Sequence, residues 1–173
     1  MSVHDIENEL KERAARLARS AASNKRIATE SFVSFIIGKQ CFGVPLSSVV
    51  YAGRLRLLTP IPNAPPYLLG ITLISGHLIS VLDIAALMSL RRPGVGDVTT
   101  CLIIESGPRK IGLAAEQALG IEEIPQDQIS ELALGGGSTA IRRAAFVERM
   151  HILLIDPKLV LADPRLQGGT GNG

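Results

Sequence analysis

The sequence predicts a mainly β protein, two small five-stranded barrels sharing a core, with short capping helices and an amphipathic helix ahead of them. Three observations carry this. From Ser31 onward, short runs of branched apolar residues alternate with turns marked by Gly, Pro and Ser. The stretch PIPNAPPYLLGITLISGHLISVLD, Pro60 to Asp83, reads as a rigid corner followed by a buried hairpin that ends on a helix cap. Landmarks of the first half also return about seventy residues later: Phe42-Gly43-Val44 as Ile111-Gly112-Leu113, and Ile79-Ser80-Val81-Leu82-Asp83 as Ile152-Leu153-Leu154-Ile155-Asp156.

Residues 1–30 form the first segment. Val3, Ile6, Leu10, Ala14, Leu17 and Ala21 recur at three- and four-residue intervals, and Glu7-Lys11, Glu9-Arg13 and Glu12-Arg16 are supporting charge pairs. Ser2 and Asp5 fit a capping box. This is an amphipathic helix with a thin, alanine-rich stripe, expected to dock on its own domain. Ala22 to Thr29 is its polar connector.

Residues 31–92 are expected to form the first barrel. Phe32 to Ile37, the turn Gly38-Lys39-Gln40 and Cys41 to Val44 make a hairpin. Pro45-Leu46-Ser47-Ser48 breaks the strand with a single helical turn, and Val49 to Leu58 resumes it. Pro60, Pro62, Pro65 and Pro66 fix φ and withhold amides, so Thr59 to Pro66 runs extended over a surface, and Asn63 bonds its own backbone. Leu68 to Ile74 and Leu78 to Leu82, joined by Ser75-Gly76-His77, read as strands covered on both faces. Asp83 then caps a short helix over Ile84 to Met88.

Arg91 to Asp97 has no apolar face and reads as a linker. Residues 93–165 repeat the plan: Val98 to Glu105 and Ile111 to Ala115 as a hairpin, Ala118 to Ile124 and Ala140 to Glu148 as strands, and Leu134 to Thr139 as a glycine loop. Asp156 caps a helix that includes Leu159 to Ala162. Residues 166–173 hold too little apolar surface to pack and are expected to be a disordered tail.

Composition narrows the function. No apolar run reaches the roughly 18 residues that span a bilayer, and Ser2 to Lys11 is too polar for a signal region, so a cytoplasmic location without membrane insertion is expected. Cys41 and Cys101 lie in apolar strand-like runs, outside any Cys-x-x-Cys pair, and read as buried free thiols. Ser31 to Arg92 carries five basic residues and one acidic, whereas Pro93 to Arg165 carries seven basic and ten acidic. Such asymmetry steers protein partners or aligns the two halves.

Catalytic, metal and cofactor signatures are missing. His4, His77 and His151 are scattered, with no Cys or carboxylate at ligand spacing. The glycine runs lack the Lys-Ser or helix-opening glycine of a phosphate cradle, and no serine sits in a Gly-x-Ser-x-Gly elbow. Asp83 and Asp156 are the one candidate acid pair, for a hydrolase with both facing one cleft, but a helix cap is the ordinary task of such residues. Aromatics at 3% and an acidic second half argue against nucleic acid. A non-enzymatic binding module without metal or cofactor is the expectation.

The motifs themselves resemble a family. Phe35 to Val49 (FIIGKQCFGVPLSSV), Leu58 to Gly76 (LTPIPNAPPYLLGITLISG) and Val81-Leu82-Asp83-Ile84 resemble the CheW-like domain, and the likeness continues through Ile111-Gly112-Leu113 and Glu116, covering roughly Ser31 to Arg165. It implies two five-stranded barrels with a shared core, and a non-catalytic adaptor between chemoreceptor cytoplasmic tips and the regulatory domain of a CheA-type histidine kinase in chemotaxis signal transduction. The same module in a non-flagellar pathway, serving surface motility or another kinase, is the alternative. In the family the receptor tip docks between the barrels near the strand that begins at Val49 here, and kinase contacts use barrel ends. By position, Val49, Tyr51, Ser75 and His77 are the expected receptor contacts, with Pro62, Gly70, Gly76 and Asp83 structural. Tyr51 stands where the family usually has glutamate and Ser75 where it has arginine, so both ends of a charge pair are absent together. Ser80 replaces a common proline, and Glu116 the usual aspartate. Tyr51 also qualifies on its own physics, since a tyrosine brings apolar area with a polar tip to an interface.

Overall fold

The computed structural model describes residues 8–16, 27–90, 97–133 and 140–167. Helix α1 covers residues 8–16. Eleven strands follow: β1 (Thr29–Ile37), β2 (Gln40–Pro45), β3 (Val49–Arg54), β4 (Leu68–Ile74), β5 (His77–Leu82), β6 (Thr100–Ser106), β7 (Arg109–Ala115), β8 (Gln117–Pro125), β9 (Ile129–Glu131), β10 (Ile141–Val147) and β11 (Met150–Ile155). The short helices are α2 (Ile84–Leu87), α3 (Pro157–Leu161) and α4 (Pro164–Gln167). Mainly β, with two sheets and short capping helices, is therefore what the chain forms. The sheets hold six and five strands, in the orders β8-β1-β2-β11-β10-β9 and β3-β6-β7-β5-β4.

Those orders correct the expected division of the lobes at residues 92 and 93. The opening hairpin β1-β2 belongs to the sheet built from the second half, and β6-β7 belongs to the sheet built from the first. The exchange is reciprocal. β11 pairs in parallel with β2, Leu154 opposite Gly43, and β5 pairs in parallel with β7, Val81 opposite Gly112. A Cβ on Gly43 would lie 3.0 Å from Leu154 Cδ2, and one on Gly112 would lie 2.8 Å from Cys101 Sγ and 3.3 Å from Val81 Cγ2. Glycine is needed at both crossings because a neighbouring side chain fills the space its own would take.

The strand alternation explains the core. Along β6, Leu102 and Ile104 face one apolar cluster while Cys101 and Ile103 face another. The first cluster is common to both sheets and both capping helices, gathering Phe35, Phe42, Leu82, Ile84, Leu113 and Val160. Phe35 and Phe42 are directly opposed across β1 and β2 and stack with centroids 5.7 Å apart. Smaller clusters fill each lobe, around Phe32 and Ile152 in one and around Val81 and Ile103 in the other. Asp83 and Asp156 end equivalent strands in equivalent ways. The amide of Asp83 donates to Tyr67 O and that of Asp156 to Ala140 O, each at 2.8 Å.

Several local expectations change. Strand β3 stops at Arg54, after which Leu55 N bonds Thr99 O and Thr59 exchanges two hydrogen bonds with Ile71. Gly70, at φ 152°, lets Thr59 cross: a Cβ there would collide with Thr59 O. The β4-β5 hairpin is not covered on both faces. Leu73 and Leu78, opposed on one face, are 64% and 71% exposed because its tip projects beyond the core. Strand β9 was not expected. Every residue of 8–16 is exposed, Leu10 by 61%, so this part of α1 does not dock on the domain as expected. Leu166 and Gln167 are no part of a disordered tail: they are the last two residues of helix α4, and Leu166 packs on the shared core. The linker and glycine loop at 91–96 and 134–139, most of the connector, and the last six residues, 168–173, lie outside the described residues.

Candidate docking surface

Pro45 stops β2, and Leu46–Ser48 make one 3₁₀ turn that hands the chain from the six-stranded sheet to the edge of the five-stranded one. Val49 leaves that turn partly buried on the shared core. Beyond it β3 pairs only with β6, with a bulge that takes Val50 out of register and sets Tyr51 opposite Ile103. Tyr51 is 36% exposed, and its ring lies along its own strand over Gly53. At the foot of this strand, a cleft of about 400 Å³ is lined by Glu30, Ser31, Pro45, Leu46 and Ser47. Val50 and Leu46 are exposed apolar side chains of this region of the chain.

Ser75 and His77 belong to a different part of the same sheet. Ser75 (φ 51°) and Gly76 (φ 79°) both take positive φ, the turn that joins two-residue hairpins, and no atom lies within 4 Å of a Cβ on Gly76. His77 is exposed and opposes Ile74. Strand β3 and the β4-β5 hairpin are at opposite edges of the ladder, with β6 and β7 between. The four expected contacts are thus two pairs: Val49 and Tyr51 on one edge, Ser75 and His77 on the turn of the other.

The structural assignments have concrete forms. Ala64 N donates to Ile61 O at 3.3 Å across a turn with Pro62 second and Asn63 (φ 58°) third, the arrangement in which proline sets the first corner and a left-handed residue the next. Asp83 Oδ1 accepts from Ala86 N at 3.1 Å, and Asp156 Oδ1 accepts from Lys158 N at 2.9 Å and Leu159 N at 3.4 Å. Both carboxylates are spent on caps, which removes the paired-acid hydrolase. Glu116 reaches across the halves, its Oε1 accepting from Gly38 N at 2.9 Å in the β1-β2 turn.

The cysteines are buried free thiols. Burial pushes Cys101 up to about 11 and, with the Glu122 charge adding to it, raises Cys41, so neither is poised as a thiolate nucleophile. Among the described residues no group of three His, Cys, Asp or Glu gathers to hold a metal, and no helix is long and apolar enough to cross a membrane. The His151 and Phe146 rings meet at a tilt, with centroids 4.6 Å apart, at the β10-β11 tip that matches Leu73 and Leu78 in the other lobe. Sequence reasoning missed Leu46, Ile121, Leu73 and Leu78 as surface residues. Their apolar character reads as core, and only the tertiary placement exposes them: Leu46 in the 3₁₀ turn, Ile121 on the edge strand β8, and Leu73 and Leu78 at a projecting hairpin tip.

Two fused lobes, short helices capped by Asp83 and Asp156, and exposed sheet edges are the frame in which the candidate surface sits. A family model, the CheW-like domain, matches residues 31–165, and the chain belongs to that family, whose members are non-catalytic adaptors in chemotaxis-type pathways. It is 32% identical over 122 residues to Protein FrzA of Myxococcus xanthus, covering 70% of this chain and 76% of that protein. It is 21% identical over 138 residues to the Chemotaxis protein CheW of Klebsiella aerogenes, covering 78% and 83%. In fold it is similar to the scaffolding protein TtCheW from Thermoanaerobacter tengcongensis, with a TM-score of 0.65 and 21% identity over 74% of this chain and 89% of that one. Helix α1 precedes the matched residues.

Proposed function

We propose that this chain couples the cytoplasmic tip of a chemoreceptor to the CheW-like regulatory domain of a CheA-type histidine kinase, working in the cytoplasm at membrane-associated receptor arrays. The observation that carries the receptor half is the β3 edge: a valine partly buried on the shared core, an exposed tyrosine beyond the bulge and a cleft beside the turn that leads into the strand. An apolar helical tip laid there removes Tyr51 and Leu46 from water, and buried aromatic anchors dominate such interfaces. The kinase half falls to the projecting β4-β5 tip, where Leu73 and Leu78 stand exposed; Ser75 and His77, expected by position as receptor contacts, sit on the turn of this tip across the sheet from Tyr51, and the proposal moves them to the kinase half. The mechanism is geometric. Two partners held in fixed register on a rigid domain let a conformational change in one bias the other, through a coupling free energy with no chemistry at the adaptor.

A second reading places the same adaptor in a non-flagellar chemosensory pathway. Its support is the greater identity to FrzA, 32% against 21% for the Klebsiella protein, together with the added helix α1.

The test is titration of the purified protein against the kinase's regulatory domain and, separately, against a receptor signalling-tip fragment, with Tyr51→Ala alongside. Both partners are expected to bind, and the substitution to weaken only the receptor, by about tenfold. Kinase binding without receptor binding favours the second reading; binding to neither overturns both.

A further inference from the structure

We infer that Gly53 is a positioning residue for Tyr51: by lacking a side chain it gives the phenol ring a slot along β3, so the receptor meets a flat, preset aromatic face. The inference rests on the receptor-docking reading of β3 and adds to it what sets the shape of the surface.

The geometry is local. Residues 51 and 53 lie two apart in a strand, so their side chains project from the same face at about 7 Å separation. A Cβ built on Gly53 would lie 2.5 Å from Tyr51 Oη, 2.7 Å from Cζ and 3.2 Å from Cε1. No such overlap is tolerated, so any residue other than glycine turns the ring away. The obstacle is the far end of a rotatable side chain rather than backbone, and Gly53 has no positive φ, so the backbone accepts alanine while the tyrosine rotamer does not. Gly53 is itself only half-exposed although it has no side chain and sits on an edge strand. The ring gives it that cover, as aromatic residues shield glycines in designed sheets.

The consequence for binding is preorganisation. A tyrosine free on an edge strand loses rotamer freedom when a partner docks, whereas one already laid in the Gly53 slot has less to lose. The face it offers is a flat aromatic one ending in a hydroxyl, on the side of β3 that Tyr51 and Gly53 share with Ile103 and Cys101, whereas Val49, opposite Ile104, faces the shared core. That shape fits a row of apolar side chains on one side of a helix, and it disfavours a partner that needs a side chain to enter between Tyr51 and the strand.

The test uses the full chain in five forms: wild type, Tyr51→Ala, Tyr51→Phe, Gly53→Ala and the double variant Tyr51→Ala with Gly53→Ala. NMR reads the ring directly, since the Gly53 α-protons beneath it resonate upfield of their position in Tyr51→Ala. Tyr51→Phe keeps this shielding. Affinity for the receptor-tip fragment is expected to fall about tenfold in Gly53→Ala, as in Tyr51→Ala, with no further loss in the double variant because both act through one ring. Affinity for the kinase domain stays unchanged and reports an intact fold. Unshielded Gly53 protons overturn the inference whether or not Gly53→Ala folds. Shielded protons with wild-type receptor affinity in Gly53→Ala, while Tyr51→Ala binds weakly, overturn it and leave the adaptor reading standing. Wild-type affinity in Tyr51→Ala removes the receptor reading of β3, and this inference with it.

Discussion

The two lobes share one plan in their interiors and differ at their edges. In both, a glycine sits where a parallel strand from the other half crosses, and an aspartate caps the closing helix. In both, a proline starts a 3₁₀ turn that leads into an edge strand: Pro45 before Leu46–Ser48 and β3, Pro125 before Gln126–Gln128 and β9. The edge strands then diverge, six residues in β3 against three in β9. At the position of Tyr51, β9 ends on Glu131, and the position of Gly53 falls beyond it. The tips differ as well, an exposed leucine pair in one lobe and Phe146 tilted against His151 in the other. Duplicated interiors must keep the exchange that holds them together, whereas edges are free to be fitted to different partners.

The largest expected effect tests the shared interior. Gly112→Val and Gly43→Val each overpack a crossing and should destabilise the domain by about 1–3 kcal/mol. Because the crossings join the lobes, urea unfolding followed by circular dichroism and by tyrosine fluorescence should remain one coincident transition in both variants. Separate transitions for the two lobes would break the idea of a common core.

Next come the edges. Leu78→Ser should weaken kinase binding by about tenfold, close to 1.4 kcal/mol, while Phe146→Ser on the matching tip leaves it within about twofold. Equal losses from both tips would assign the kinase no preferred lobe. The caps rank third: Asp83→Ala should cost about 1–2 kcal/mol, since Asp83 is buried, and Asp156→Ala nearer 0.5–1, since Asp156 is more exposed and Pro157 already fixes the first helical position. Thermal unfolding of the pair gives the order.

The smallest effect lies at α4. Its Asp163 carboxyl is held below the usual carboxylate range, first by the hydrogen bond from Arg165, whose guanidinium also lies over the Tyr67 ring. A carboxyl depressed by folding stabilises above its unfolded pKa, and the contribution is lost as pH falls through the lower folded value. Acidification should therefore loosen α4, and Asp163→Asn should abolish that acid dependence at a cost of a few tenths of a kcal/mol, because the pair is partly solvated. Tyr67 fluorescence against pH reports both.

Much of the fold was legible because its signals are local. Asp83 and Asp156 were readable as caps from the helical spacing that follows each, Ser75-Gly76 as a hairpin turn from its residue types, and Pro62-Asn63 as a corner. The repeat at Gly43 and Gly112 was visible too. The strand β9 was missed because three residues carry no periodicity, although the shared pattern of a proline, three residues and a branched residue, at Pro45 to Val49 and Pro125 to Ile129, was there to be matched.

The sequence by itself therefore determined the elements, the duplication and the family, since each depends on residues near one another or on a motif with fixed spacing. The partnership of the halves was left to the tertiary structure. Either hairpin has the alternation to complete either sheet, and only packing Leu154 against Gly43 and Val81 against Gly112 selects the exchange. The same holds for the surface. Leu73, Leu78 and Tyr51 are as apolar as the core residues beside them, and it is a hairpin tip projecting past the core, for the leucines, and an edge strand, for the tyrosine, that leaves them facing water.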